Sequence, residues 1–468
     1  MNGLLEGLEI SIVPNSELED DSRFDSQFFF KRYLAEHQAL HRLNLREIGD
    51  IAFVTDGPHG YHVVDEKSPI AMLTASCASD WFAERTGADT IAKWVDDANK
   101  RSSLQVDDLI LSTRGTVGNC ALVTREALPA NLDQDVARIS LRADSDIRPK
   151  YTVAYLNSKF GQDHIARHAS GMVQQGLSLA KVRKVPIPVL AANLQAAIAE
   201  CVDRALEERR NSVASWTKAE DKLLDVLGLG DWAPPEPLTY GARASDAVAA
   251  GRLDAQYFRP LFQEVEQRLQ ATGGAVALRH IVTVNARGRQ PQYDDFGLSV
   301  INSKHVRTNR VILDNNRTAI EAGSPVQICS GDVLVNGTGV GTIGRAAVYL
   351  HDEPALPDNH VTVLRTDKID PVFLSVFLNS PLGQRQIERY IKGSSGQIEL
   401  YPHDIAQIVV WDAPDDVQQS VRNSVLSAFD AEHRAKSLLD AAKRAVELAI
   451  EDSEDAALAY LASVEGAN

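Results

Sequence analysis

The chain has 468 residues, 44% hydrophobic and 24% charged, which excludes a disordered polymer and leaves room for two to four units of about 100–200 residues each. No apolar run reaches the roughly 18 residues of a membrane span, and the acidic start "MNGLLEGLEISIV" lacks the basic opening of a secretory signal, so a cytoplasmic protein is expected. The formal net charge of −16, taken alone, argues against a nucleic-acid ligand.

The distribution of that charge changes the picture. Residues 1–25 hold seven acids and one base, residues 191–235 eight acids and five bases, and residues 412–465 twelve acids and five bases. These segments carry the whole net charge, so the remaining chain is neutral, and within it residues 279–322 hold seven bases against four acids. Acidic runs of this kind are expected as solvated helix faces and tails. Cys77, Cys120, Cys201 and Cys329 are far apart, with no C-x-x-C, and are expected as reduced core cysteines.

In chain order, residues 1–25 form an acidic N-terminal segment. Residues 26–190 form a strand-rich domain with strands at "DLILS", "GNCALV" and "ARISL" and a short helix at "YTVAYLNSKFGQDHIARHA". Residues 191–229 predict one long helix. Asn193 can cap it, and Leu194, Ile198, Val202, Leu206, Val213, Trp216, Leu223 and Leu227 make its apolar stripe. Residues 230–250 are rich in proline and glycine and read as a linker. Residues 251–413 form a second strand-rich domain, with strands at "LSVINS", "DVLVN", "AAVYL" and "HVTVLR" and a helix at "PVFLSVFLNSPLGQRQIERYI". Residues 414–463 predict a second long helix, capped by Asp415, with Val417, Val421, Val425, Phe429, Leu439, Ala442 and Val446 on one face. A helix of about 35 residues is about 50 Å long, too long to bury its stripe on one compact domain. The two helices are therefore expected to pack as an antiparallel coiled coil; a fold-back of each on its own domain is the alternative.

The chain is written twice. Arg23-Phe-Asp-Ser-Gln-Phe-Phe29 recurs as Arg252-Leu-Asp-Ala-Gln-Tyr-Phe258, and Leu156-Asn-Ser-Lys-Phe-Gly-Gln162 as Leu378-Asn-Ser-Pro-Leu-Gly-Gln384. "DLILSTRGTVG" from Asp108 recurs, two residues longer, as "DVLVNGTGVGTIG" from Asp332. "GMVQQG" from Gly171 lines up with "GSSGQ" from Gly393, and "KVPIPVL" from Lys184 with "QIVVWDAP" from Gln407. Blocks in the same order at nearly constant spacing indicate a tandem duplication.

Gly339, Gly341 and Gly344 match G-x-G-x-x-G, the mark of a dinucleotide site. Such a site needs a helix straight after the last glycine, to meet the pyrophosphate. Here another strand-like run, "RAAVYL", follows, and the first copy keeps only Gly115 and Gly118. The glycines are therefore expected to close a hairpin. There is no P-loop, H-E-x-x-H, G-x-S-x-G or paired-cysteine zinc spacing, and no D-P-P-Y or N-P-P-Y motif of an adenine methyltransferase. His164 and His168 stand four apart on a helical segment and are expected at the surface, with no metal.

This combination resembles the specificity subunit of type I restriction–modification systems. The resemblance runs from about Arg23 to about Ile450 and rests on the order and duplication of the blocks above; "TDGPHG" at Thr55–Gly60 and "YDDFGLSVINSKHV" at Tyr293–Val306 also look like that family's early target-recognition segments. It implies an α+β chain of two tandem target-recognition domains, each followed by a long helix, which together read a split site on double-stranded DNA. It also implies partners: adenine methyltransferase subunits that bind S-adenosylmethionine, and a translocating nuclease subunit. The chain itself would hold no cofactor and no catalytic residue. The helices would act as a ruler, so that removing a matched heptad shortens the unspecified spacer by about three base pairs. The acidic N-terminal segment, the longer second glycine loop and the polar "GQIELYPHDI" depart from a strict repeat.

Base readout needs Arg, Lys, Asn, Gln or hydroxyl side chains on loops that enter the major groove, and phosphate contacts need bases nearby. In the second domain the candidates are Arg287, Arg289 and Gln290 of "NARGRQ", then Lys304, His305 and Arg307, then Thr338 and Gln397 of the glycine turns. In the first domain they are His59, Tyr61, Ser112, Arg114, Gln174 and Gln175. The "NARGRQ" loop stands out because no acid is near it in sequence. Two alternatives stay open: a specificity-like subunit of another phage-defence or modification complex, and a dinucleotide-dependent enzyme using Gly339–Gly344.

Overall fold

A computed structural model describes residues 11–14, 25–60, 62–171, 175–230, 232, 234, 236–320, 323–393 and 398–465. Two units emerge, one from Met1–Arg210 with Glu432–Asn468 and the other from Asn211–Ala431, so their borders fall inside the long helices.

In the first unit, helix α1 (Lys31–Leu40) precedes strands β1 (Ala52–Asp56), β2 (Leu109–Ser112), β3 (Cys120–Leu122) and β4 (Val136–Leu141). They form an antiparallel sheet in the order β1-β4-β2-β3. The run "LILS" is buried along its length because both faces of β2 are covered. Helices α2 (Pro149–Asn157) and α3 (Lys159–His168) follow, then the long α4 (Ala192–Val226). Leu109, Ile139, Tyr151, Tyr155, Ile198 and Val202 share one core.

The second unit repeats that order. After α5 (Pro260–Ala271) come β5 (Val282–Arg287), β6 (Gln292–Ile301), β7 (Val333–Asn336), β8 (Ala346–Val348) and β9 (Val361–Thr366). The sheet runs β5-β9-β7-β8. β6 lies outside it and pairs in parallel with Ala355–Pro357, as Ala71–Leu73 pairs with Ala130–Leu132 in the first unit. Helices α6 (Pro371–Asn379) and α7 (Pro381–Tyr390) close the core with Phe373, Phe377 and Leu382, and the long α8 (Asp415–Glu451) follows. Within the expected linker, Ala244–Ala250 is helical.

The glycine loop is a hairpin, as expected. Val335 faces Ala346 across the antiparallel pair β7–β8, and Gly339, Gly341 and Gly344 have φ of 95°, 76° and 81°, a backbone region that glycine adopts without strain. A strand, not a helix, follows Gly344, so the chain offers no helix N-terminus for a pyrophosphate there.

The expected single helix around each "LNS" motif is two helices with a sharp corner. Ser158 and Ser380 end one helix and cap the next, each accepting the N–H of the glycine three residues on, at 3.4 Å. That glycine permits the close approach: a Cβ on Gly161 would lie 2.3 Å from the Tyr155 carbonyl, and one on Gly383 2.4 Å from that of Phe377. Gln162 then donates to the Gly118 carbonyl at 2.9 Å, and Gln384 to that of Gly344 at 3.1 Å. Asn157 donates to Cys120 and Asn379 to Ala346. The motif pins each glycine hairpin to its helical corner.

The long helices are continuous rather than folded back, and they run antiparallel. In the first unit Arg434 donates to Glu208 at 2.8 Å; in the second, Trp216 meets Phe429 edge to face at 5.3 Å. In the stripe of α4, Leu194, Ile198, Val202 and Leu223 are buried and Leu206, Trp216 and Leu227 half-buried, but Val213 is exposed, because a straight helix drifts away from a fixed seam. α4 begins at Ala192, so Asn193 lies inside it rather than capping it, and Asp415 is already the first residue of α8. The second helix does not run to residue 463: it stops at Glu451, and a separate helix α9 (Glu454–Glu465) puts Ala457 and Leu461 into the first unit's core.

Two further expectations are corrected. His168 is interior rather than on the surface, its ring edge-on to Phe28 at 5.3 Å. Cys77, Cys120 and Cys201 are buried, but Cys329 is exposed. No described helix is long and apolar enough to cross a membrane.

Candidate nucleic-acid interface

Strand register decides which loops meet. In the first unit, Asp56 at the end of β1 faces Ala137, and Ser112 at the end of β2 faces Val136. The loops after β1 and β2 and the loop before β4 therefore leave the same end of the sheet. Gly57 and Thr113 donate their N–H groups to Asp133 and Asp135 of the last loop, at 3.1 and 2.8 Å. The turn after α3 joins them, with Gly176 bridged to Arg114 and Ser170.

The second unit gathers the equivalent loops. Arg287 faces Thr362, and Asn336 faces Val361. Gly288 donates to Val361 at 3.0 Å, Gly337 to His360 at 2.7 Å and Leu400 to Gly337 at 2.9 Å. Glu399 is bridged to Thr338 and Lys392, just as Gly176 is to Arg114 and Ser170. Each unit thus presents four loops at one end of a like sheet, with different side chains.

In the first unit His59 is exposed beside Asp56 at 3.2 Å, and the half-exposed Arg114 pairs with Asp135 at 3.2 Å. Gln175 is exposed in the turn after α3. Ser112 is not placed to touch a ligand. It is fully buried, and its hydroxyl closes the hairpin, donating to the Thr116 carbonyl and accepting the Asn119 N–H. Tyr61, Gln174 and Gln397 lie outside the described residues.

In the second unit Arg289, Gln290, Lys304 and Arg307 are exposed, and Thr338 is half-buried with its hydroxyl 2.9 Å from His360 Nδ1. The turn holding Lys304 is tied to the end of β7, where Asn336 donates to the Ser303 carbonyl at 3.1 Å. His305 is corrected: it is interior, it accepts the Asn302 N–H, and burial pushes its imidazole below the usual histidine range. Arg287 is corrected in its surroundings. It ends a strand, and its guanidinium pairs with Glu399 at 2.7 Å, an acid remote in sequence.

Both faces rest on a carboxyl at the same repeat position, half-buried at Asp133 and buried at Asp358. Burial pushes Asp133 and Asp358 above the usual carboxylate range, against the pull of His62 and Arg114 on the first and of His360 and Arg287 on the second. Beside the second face, Tyr401 stacks on His403 at 5.6 Å, with Arg287 and Lys392 each within 6 Å of its ring. Sequence reasoning passed over Asp133, Asp358, His360 and Glu399. The alignment of "NLDQDV" with "LPDNHV" was the available signal for the first three. Among the described residues no group of three His, Cys, Asp or Glu is placed to hold a metal ion.

No family model matches the chain, and no curated protein matches it either. Solved structures do. The S subunit of a type I restriction–modification system from M. genitalium is 12% identical over 90% of this chain and 96% of its own, with a TM-score of 0.39. The HsdS subunit from Thermoanaerobacter tengcongensis is 14% identical over 88% of this chain and 97% of its own, with a TM-score of 0.27. A structure described by its complex assembly and conformational transition in the type I R-M system is 14% identical over 88% and 98%, with a TM-score of 0.32. At these TM-scores the likeness supports no residue-level correspondence.

Proposed function

We propose that this chain is the sequence-recognition subunit of a type I restriction–modification complex, reading a two-part DNA target and docking adenine methyltransferase subunits. The duplicated loop face carries this reading. Two sheets of the same strand order present loops from the same chain positions, but with different side chains. Like frames with unlike faces suit a target with two unlike halves.

Readout in the major groove needs hydrogen-bonding side chains on projecting loops. Arg289 and Gln290 supply them on the second face, and His59, Arg114 and Gln175 on the first. Lys304, Arg307 and Thr338 add phosphate or base contacts, and Tyr61, Gln174 and Gln397 belong to the same stretches of sequence. The methyltransferase subunits would sit on α4 and α8 and bring S-adenosylmethionine and all the chemistry. A translocating nuclease subunit is a further partner. The chain contributes no reacting group; it selects where methylation happens.

The test is to sequence methylated adenines in a host that makes the chain together with its methyltransferase partner. A motif of two specified halves around an unspecified spacer is expected. A continuous motif, or methylation without a motif, would refute the proposal.

A further inference from the structure

Arg287 lies in the basic segment 279–322, yet only 16% of its side chain is exposed. Its Nε donates to the Asn359 carbonyl at 2.7 Å, and its Nη1 to Glu399 Oε2 at 2.7 Å. Its Nη2 lies against Gly337, where a Cβ would come within 3.2 Å of it. These contacts reach three separate loops: the one before β9, the turn after α7 and the glycine hairpin after β7. Two-pronged recognition of guanine needs two adjacent N–H groups aimed outward into a groove. Here both prongs of the fork are directed into the protein.

We propose that Arg287 is a positioning residue rather than a base reader: with Glu399 as its counter-charge, it ties its own loop, which carries Arg289 and Gln290, to three others, one of which carries Thr338, and so positions the side chains that meet DNA. The inference rests on the proposed DNA-reading role, but the clamp itself is testable without DNA. The two roles of Arg287 make opposite demands on Glu399. An acid beside a DNA-reading arginine competes with DNA for it, so its removal would strengthen readout. An acid that holds a clamp is needed for readout.

The first experiment follows backbone amide exchange in the full chain and in E399Q, which keeps size and removes charge. The amides of Gly337 and Leu400 should exchange about tenfold faster in the variant, with the first unit unchanged. Unchanged exchange at both amides would overturn the clamp, whether or not the chain reads DNA. The second sequences the methylated motif with R287A, E399Q and R289A, each assembled with the methyltransferase partner. All three should relax the same half of the motif, each by about tenfold in preference, and leave the other half intact. If E399Q keeps or sharpens that half while R287A relaxes it, the guanidinium reads the base itself and the positioning role is wrong. If neither R287A nor E399Q relaxes it, the clamp does not position the readers. Should the unaltered chain direct no split motif, the proposed function fails, and amide exchange still decides the clamp.

Discussion

Glu36 on α1 shows how one side chain can set a pH dependence. Its carboxyl is hydrogen-bonded to Asp163 on α3 and is partly buried; burial first, then the charge of Asp163, pushes it up to about 7, against the pull of Lys159 and Arg32. Arg32 reaches Asp163 at 3.9 Å, so the pair has a basic neighbour but no full neutralisation. A carboxyl that holds its proton more tightly when folded loses stability as pH rises from its ordinary value, near 4.5, through about 7. Below that window the penalty is absent; above it the penalty is complete. E36Q should therefore leave the melting temperature unchanged near pH 4 and raise it above pH 7. With Glu36 only half-buried, screening limits the gain to about 1 kcal/mol, or about 2–4 °C. Melting curves of both proteins between pH 4 and 8 check this, and parallel pH profiles would refute it.

The two-helix corner is the element on which each loop face leans. Its glycines are required by contact rather than by dihedral angle: α3 and α7 begin where a Cβ would strike the backbone of the preceding helix. G383A should cost about 3 kcal/mol or more, since backbone carbonyls at 2.4 and 2.5 Å cannot move aside cheaply. G241A meets nothing within 4 Å and should change stability by less than about 0.5 kcal/mol. Urea unfolding of the two variants measures the contrast, and equal midpoints would mean the corner is looser than described. Because Gln384 ties this corner to Gly344, G383A should also loosen the glycine hairpin.

At the scale of the whole molecule, net charge sets what the chain can do alone. A charge of −16 repels DNA at long range, although the excess of acids over bases falls in residues 1–25, 191–235 and 412–465. The faces themselves carry acids beside their bases: Asp56 and Asp135 on the first, Glu399 on the second. The isolated chain should therefore bind its own site weakly, and adding the methyltransferase partner should tighten binding by about a hundredfold or more, toward the affinity of a specific complex. Titration of a labelled duplex carrying the methylated motif, at fixed salt, measures both affinities. Equal and tight binding by the chain alone would remove the need for a partner.

What sequence determined is whatever depends on neighbours in the chain. β-branched runs marked the strands, i+4 spacing marked the long helices, and the run after Gly344 identified the glycine loop as a hairpin, because hydrogen-bond pattern and side-chain period are local properties. The repeat was legible for the same reason. Tertiary structure decided which polar groups are already engaged. Ser112 and His305 look like loop readers in sequence and are interior. Arg287 seemed free of acids until the turn after α7 brought Glu399 to it across 112 residues. The "LNS" motif could have been a surface feature, and only the corner shows its serine, glycine and glutamine turned inward. Burial and charge pairing depend on which distant segments the fold brings within a few ångströms, and no periodicity along the chain encodes that distance.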